Sequence, residues 1–321
     1  SASLSCERCQ WKVALFTALI AFSSADQYCR GLALGGGNDL GAFQAGAIVG
    51  LLNNLPAQET DYQIVTGLGV GALNALIVSQ YNNSQNAQLE ERLSDFWENA
   101  DRSDFLKDWT FGRIEGTINK SGLYNSAPTN KTISKLLKES SQFARPFQVG
   151  ATDLISGQLL IFNSTLSTRA LQTGIYASAS GYVDFPIVEY QDYLLIEGSI
   201  RYTADILGAI NYCVEQGYAE NNIIIDTIFT QYSDLDTVDA SKYKTLDVTA
   251  RVAAIYNYDN INTSLEVAIN TYPSVNYRYT LQPQSRQIAN QESNDYRYSK
   301  REFKTLYVQG QSDAASGVRN A

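Results

Sequence analysis

Residues Val65 to Ala75 read VTGLGVGALNA. The residues leading into them, Tyr62-Gln63-Ile64-Val65-Thr66, form a short apolar run of strand type. From Ala72 to Tyr81, apolar side chains recur at helical spacing. The stretch therefore reads as a strand, a glycine turn and a helix. Its spacing is that of G-x-S-x-G, a turn that lifts a serine oxygen above the end of a sheet. Here Gly67 and Gly71 flank Gly69, so the central place carries no side chain. A glycine there cannot form an acyl-enzyme.

The same unit occurs once upstream. Gly31-Leu32-Ala33-Leu34 is a buried strand, Gly35-Gly36-Gly37 a turn, and Gly41 to Leu52 a helix. Two strand–turn–helix units in sequence predict a parallel sheet with crossover helices. Downstream, 146–152 and 158–162 read as strands around the turn Asp153 to Gly157, where Asp153 is a turn residue. Ser167 to Ser178 reads as a helix. Tyr193 to Ile196 is a strand ended by Glu197-Gly198-Ser199. A helix over 204–216, a strand over 222–229, a long helix over 246–269 and a helix over 301–308 complete the pattern. Residues 101–130 are polar and turn-rich, as in a surface insertion or cap. The expected organisation is a leader over 1–25, one domain over 26–311 and a flexible tail over 312–321.

Five blocks in order resemble the patatin-like phospholipase family. They are LALGGGNDLGAFQAG (Leu32 to Gly46), YQIVTGLGVGALNA (Tyr62 to Ala75), FQVGATDLISGQLLIF (Phe147 to Phe162), YASASGYVDFPIV (Tyr176 to Val188) and LLIEGSIRYTADILGAI (Leu194 to Ile210). The resemblance implies a three-layer α/β/α sandwich with a mainly parallel central sheet. It implies hydrolysis of lipid acyl esters by a serine–aspartate dyad, with neither cofactor nor metal. The family serine falls on Gly69 and the family aspartate on Glu197. The family's oxyanion loop falls on Gly35, Gly36, Gly37 and Asn38, and Leu40 replaces a residue that is often basic. Glutamate is one methylene longer than aspartate, and the lost serine side chain leaves room for it. Replacing an elbow serine by glycine also removes backbone strain of about 1–3 kcal/mol.

Composition narrows the alternatives. The 321 residues are 44% hydrophobic and 18% charged, enough for one large core. A net charge of −9 argues against nucleic acid and anionic lipid as partners. Histidine is absent, so no Ser-His-Asp or Cys-His arrangement can be assembled. No G-x-x-x-x-G-K-S/T is present, and Gly67-x-Gly69-x-Gly71 has the wrong spacing for a dinucleotide turn. Thr66 belongs to a strand end, Ser178 and Ser180 to a structural segment, and Asp39 stands at the N-cap of the first helix. Lys12, the ten-residue run VALFTALIAF and Ser23-Ser24-Ala25 resemble a secretory signal, and the run is too short to span a bilayer. Cys6 and Cys9 fall inside that leader. Cys29 and Cys213 remain as an even pair, expected to form a disulfide in an oxidising compartment. Five N-x-S/T sites, at Asn82, Asn119, Asn130, Asn163 and Asn262, agree with a secreted or lumenal chain.

The leading expectation is a catalytically inactive relative of the acyl hydrolases with a binding, structural or storage role. Two alternatives stand beside it. One is an active lipid acyl hydrolase whose serine is missing from this sequence. The other is a lipid- or carbohydrate-binding module that uses the old cleft. The partners expected are a lipid or other apolar ligand, a protein, or further copies of the chain.

Overall fold

The structure is a computed structural model that describes residues 27–37, 40–139, 142–232, 234–235, 237–284 and 299–320. The leader with Cys6 and Cys9, and Asn38 and Asp39 of the glycine loop, lie outside these residues. Among them, eight strands form one sheet. β1 (Cys29–Leu34) lies between β2 (Ile64–Leu68) and β7 (Ile223–Ile228), parallel to both. β3 (Phe147–Asp153) runs parallel beside β2, and β8 (Asn276–Leu281) runs parallel beside β7. β4 (Leu159–Asn163) and β6 (Tyr193–Ile196) pair antiparallel with β3, and β5 (Val188–Tyr190) pairs with β6.

The central strands follow from their side chains. CRGLAL and IIIDTI are buried at every position, as expected of parallel strands covered on both faces. Alternate residues feed two cores. Leu32, Leu34 and Ile228 join one core with α1 (Gly41–Asn54), α2 (Gly71–Ser79), α3 (Asn86–Asn99), α5 (Ala127–Glu139) and α6 (Thr168–Ser178). Ala33, Ile223 and Ile225 join the other, with α7 (Ile206–Glu215) and α8 (Thr245–Thr271). The expected three-layer sandwich is thus the observed architecture. Cys29 on β1 is bonded to Cys213 on α7, the pairing expected from the count of cysteines.

Four sequence expectations change. Ser312 onward is not a flexible tail: α9 runs from Lys300 to Asn320. Its buried face is Phe303, Leu306, Tyr307, Gly310 and Ala314, a helical stripe inside a polar sequence. Gly310 lies against the Phe43 carbonyl, and Gly46 and Gly50 of α1 face Tyr307 and Ala314. Small residues on both helices let the backbones meet, and α1, which α9 covers, is buried from Gly41 to Leu51. β5 and β8 had no strand signal, because each is half-exposed and polar (VEY and NYRYTL). Ile133 to Leu137 reads as a short helix by its apolar spacing, and α5 is longer, from Ala127 to Glu139. The 101–130 segment contains α4 (Gly112–Asn119) and pairs Lys107 with Asn125.

Candidate active site

The two glycine turns sit at the carboxyl ends of neighbouring parallel strands, where ligands bind in sheets of this kind. Gly67 is the penultimate residue of β2, and Gly71 opens α2. Gly69 stands between them with φ +57°, in the left-handed region that glycine enters freely. A Cβ on Gly71 would come within 2.7 Å of the Gly35 carbonyl oxygen, so the two turns are in close contact. The Gly69 N–H donates to the Ser178 hydroxyl at 3.1 Å, which makes Ser178 a support of the elbow. Thr66 donates its hydroxyl to the Asp205 carbonyl and has no part in the site.

Glu197 follows β6 and reaches the elbow across β3, where Gly198 rests on the Gly150 carbonyl. Glu197 is 6% exposed. Burial raises its pKa, opposed by a hydrogen bond from the Ser199 hydroxyl and one from the Tyr182 N–H. The Ser199 hydroxyl donates to Glu197 Oε1 at 2.6 Å. Sequence reading passed over Ser199, although it stands two residues from the dyad acid. Val183, next to Tyr182, has φ +72°. For a β-branched residue this is a strained conformation. It is held in part because the Val183 carbonyl accepts from Leu123 N–H at 2.9 Å.

Gly69, Glu197, Ser199 and Gly36 converge on one point. A Cβ built on Gly69 would lie 2.8 Å from Gly36 Cα, 3.1 Å from Glu197 Oε1 and 3.4 Å from Ser199 Oγ. The first of these is a backbone atom and cannot rotate away. The glycine loop is fastened in place. Gly35 N–H donates to the Ile228 carbonyl and Gly36 N–H to the Thr203 carbonyl, both at 2.9 Å. The Gly36 carbonyl accepts from Thr230 and Gln231. Gln44 donates to the Gly35 carbonyl, accepts from Asn74, and Asn74 accepts from the Trp97 indole. This buried relay of amides ties α1, α2 and α3 to the loop, and its polar atoms are mutually paired. Two of the loop's N–H groups are therefore committed to carbonyls of the fold. Asn38, the fourth expected loop residue, lies outside the described residues.

The remaining expected residues lie elsewhere. Asn82, Asn119, Asn163 and Asn262 are exposed, while Asn130 is half-buried and accepts from Gln172 at 2.8 Å. Asp153 accepts from Ser156 and from Leu194 N–H, as a turn residue does. No helix of the described residues is long and apolar enough to cross a membrane.

A family model described as patatin-like phospholipase matches residues 32–210. No curated protein matches the chain. Among solved structures, VipD from Legionella pneumophila is similar at 10% identity and a TM-score of 0.44. That match covers 92% of this chain and 67% of VipD. The type III effector protein ExoU is similar at 12% identity and a TM-score of 0.37. That match covers 92% of this chain and 53% of ExoU, so the chain spans about half the length of ExoU. The family match takes in both glycine turns and Glu197 and extends over more than half of the sequence: the chain belongs to the patatin-like phospholipase family.

Proposed function

We propose that this protein has lost ester hydrolysis through its elbow residue and works as a patatin-fold pseudoenzyme with a binding or structural role. One observation carries the reading. The direction in which a nucleophile would leave Gly69 ends 2.8 Å from Gly36 Cα, against Glu197 and Ser199. A serine there would need the glycine loop to move, and that loop is held by hydrogen bonds at Gly35 and Gly36. Loss of the side chain and closure of the loop over its place are mutually consistent. A secreted or lumenal location agrees with the Cys29–Cys213 disulfide and the exposed Asn82, Asn119, Asn163 and Asn262.

Binding of an apolar ligand is favoured over a purely structural role by the rim of the site. Tyr182, Val183 and Ile200, chain neighbours of the groups around Glu197, are all exposed. The test is steady-state turnover of the purified protein on short-chain esters and on neutral phospholipid vesicles. No multiple turnover is expected on either. Turnover that follows the protein through successive purification steps would overturn the reading.

A further inference from the structure

The hydroxyl missing from the elbow has a counterpart across the cleft. Ser199 lies in a one-turn 3-10 helix, Gly198–Ile200, directly after the dyad position. Its Oγ is 2.6 Å from Glu197 Oε1, and 3.4 Å from the point where a residue at 69 would place its Cβ. Glu197 is buried and Gly69 is buried, whereas Ser199 is half-buried. A hydroxyl on a half-buried residue that donates to a buried carboxylate has the arrangement of a nucleophile and its base. The simpler alternative is that Ser199 merely satisfies a buried acid.

We propose that Ser199 is an acyl acceptor: it takes an acyl group from an activated ester once, with Glu197 as base, and releases it slowly. This rests on the reading of Gly69 as an empty elbow and adds a second chemistry at the same centre. Ser199 Oγ forms a bond to the ester carbonyl carbon while its proton passes to the Glu197 carboxylate. The ester C–O bond then breaks, and the departing oxygen takes that proton from Glu197. An alcohol or phenol leaves, the acyl group stays on Ser199, and Glu197 is again ionised. Exposed Tyr182, Val183 and Ile200 favour an apolar acyl group. Release is slow because the loop N–H groups of Gly35 and Gly36 already donate to Ile228 and Thr203. An oxyanion donor is typically worth about 10²–10³ in rate. The same shortage calls for an ester with a good leaving group.

The experiment mixes the full chain with p-nitrophenyl butyrate and follows nitrophenolate, intact mass and the modified peptide. A burst of one equivalent is expected, with one butyryl group on the peptide containing Ser199. Ser199→Ala should remove the burst. Glu197→Gln should slow it by about 10²–10⁴, the usual contribution of a general base. Mapping on the parent protein needs no variant, so a variant that fails to fold does not blunt the test. Butyryl groups only at other residues, or none at all, would overturn the proposal and leave the pseudoenzyme reading standing. Sustained release abolished by Ser199→Ala would uphold Ser199 as nucleophile but overturn loss of turnover.

Discussion

Asp226 and Glu197 are carboxylates buried to similar depth, 1% and 6% exposed, with different partners. Asp226, in the middle of β7, accepts from Arg278 Nε at 2.9 Å and Nη2 at 2.5 Å, and from the Tyr62 hydroxyl at 2.7 Å. Arg278 also binds Glu59. The pair holds Arg278 charged well above the ordinary arginine range, and burial together with Asp226 raises the Tyr62 pKa. Glu197 has no such cation among the groups that shift it. It meets a serine hydroxyl and a backbone N–H. A buried charge without a counter-charge is costly, so Asp226 reads as part of the scaffold, while Glu197 is the acid that our proposal assigns to an emptied elbow. The contrast sets a charge-paired carboxylate in the sheet against one beside the elbow that only hydrogen bonds hold.

Four changes test this division, in decreasing order of effect. Arg278→Ala leaves Asp226 buried beside Tyr62 without its cation. Removing one partner of a buried pair typically costs about 3–5 kcal/mol, and a denaturant melt should show a loss of that size. A change below about 1 kcal/mol would mean that the cluster contributes little to stability. Next, reduction of Cys29–Cys213, or its replacement by serines, should lower stability by about 2–5 kcal/mol. The bond closes a separation of 184 residues between β1 and α7. Failure of a reducing agent to shift the melt would argue against it.

Gly69→Ala should cost about 1–3 kcal/mol, since it adds a Cβ 2.8 Å from a backbone atom. A neutral result would mean that the glycine loop yields readily and the site is not closed. The smallest effect belongs to Glu197→Gln and depends on pH. The Glu197 pKa is raised by burial, so folding holds its proton more tightly than the unfolded chain does. Its favourable contribution is complete below the unfolded pKa of about 4.3 and is lost as pH rises through the folded value. Glu197→Gln should therefore gain stability relative to the parent as pH rises across that window, with the difference vanishing at lower pH. An unchanged difference across the range would remove Glu197 as the titrating group. Asp205 is raised in the same sense by burial and needs its own Asp205→Asn control.

Much of the fold was legible because its central strands are mainly apolar and two of them, β1 and β2, run into glycine turns. CRGLAL and IIIDTI need no partner sequence to be read as buried parallel strands. β8 was missed because NYRYTL is an edge strand whose arginine serves the Asp226 cluster, a role that no local pattern encodes. The C-terminal half of α9, beyond the expected 301–308, was missed for a different reason. Its small residues Gly310 and Ala314 matter only because they lie against Phe43 and Gly50 of α1. The convergence of Gly69, Glu197 and Gly36 was expected from the family blocks. Ser199 was not, because its importance lies in a 2.6 Å contact and not in its type.

The central claim is that the elbow has changed as a unit, so that a serine alone cannot restore it. The direct measurement is steady-state ester hydrolysis by Gly69→Ser, by Glu197→Asp and by the two changes together, beside the parent. The single variant should show no turnover above the parent, because the serine would meet Gly36 and a carboxylate displaced by one methylene. Misplacement of that order, about 1 Å, costs about a hundredfold. The double variant should exceed both singles, since groups that act together are not additive. Full turnover in Gly69→Ser alone would contradict the account, because it would mean that only one hydroxyl had been lost.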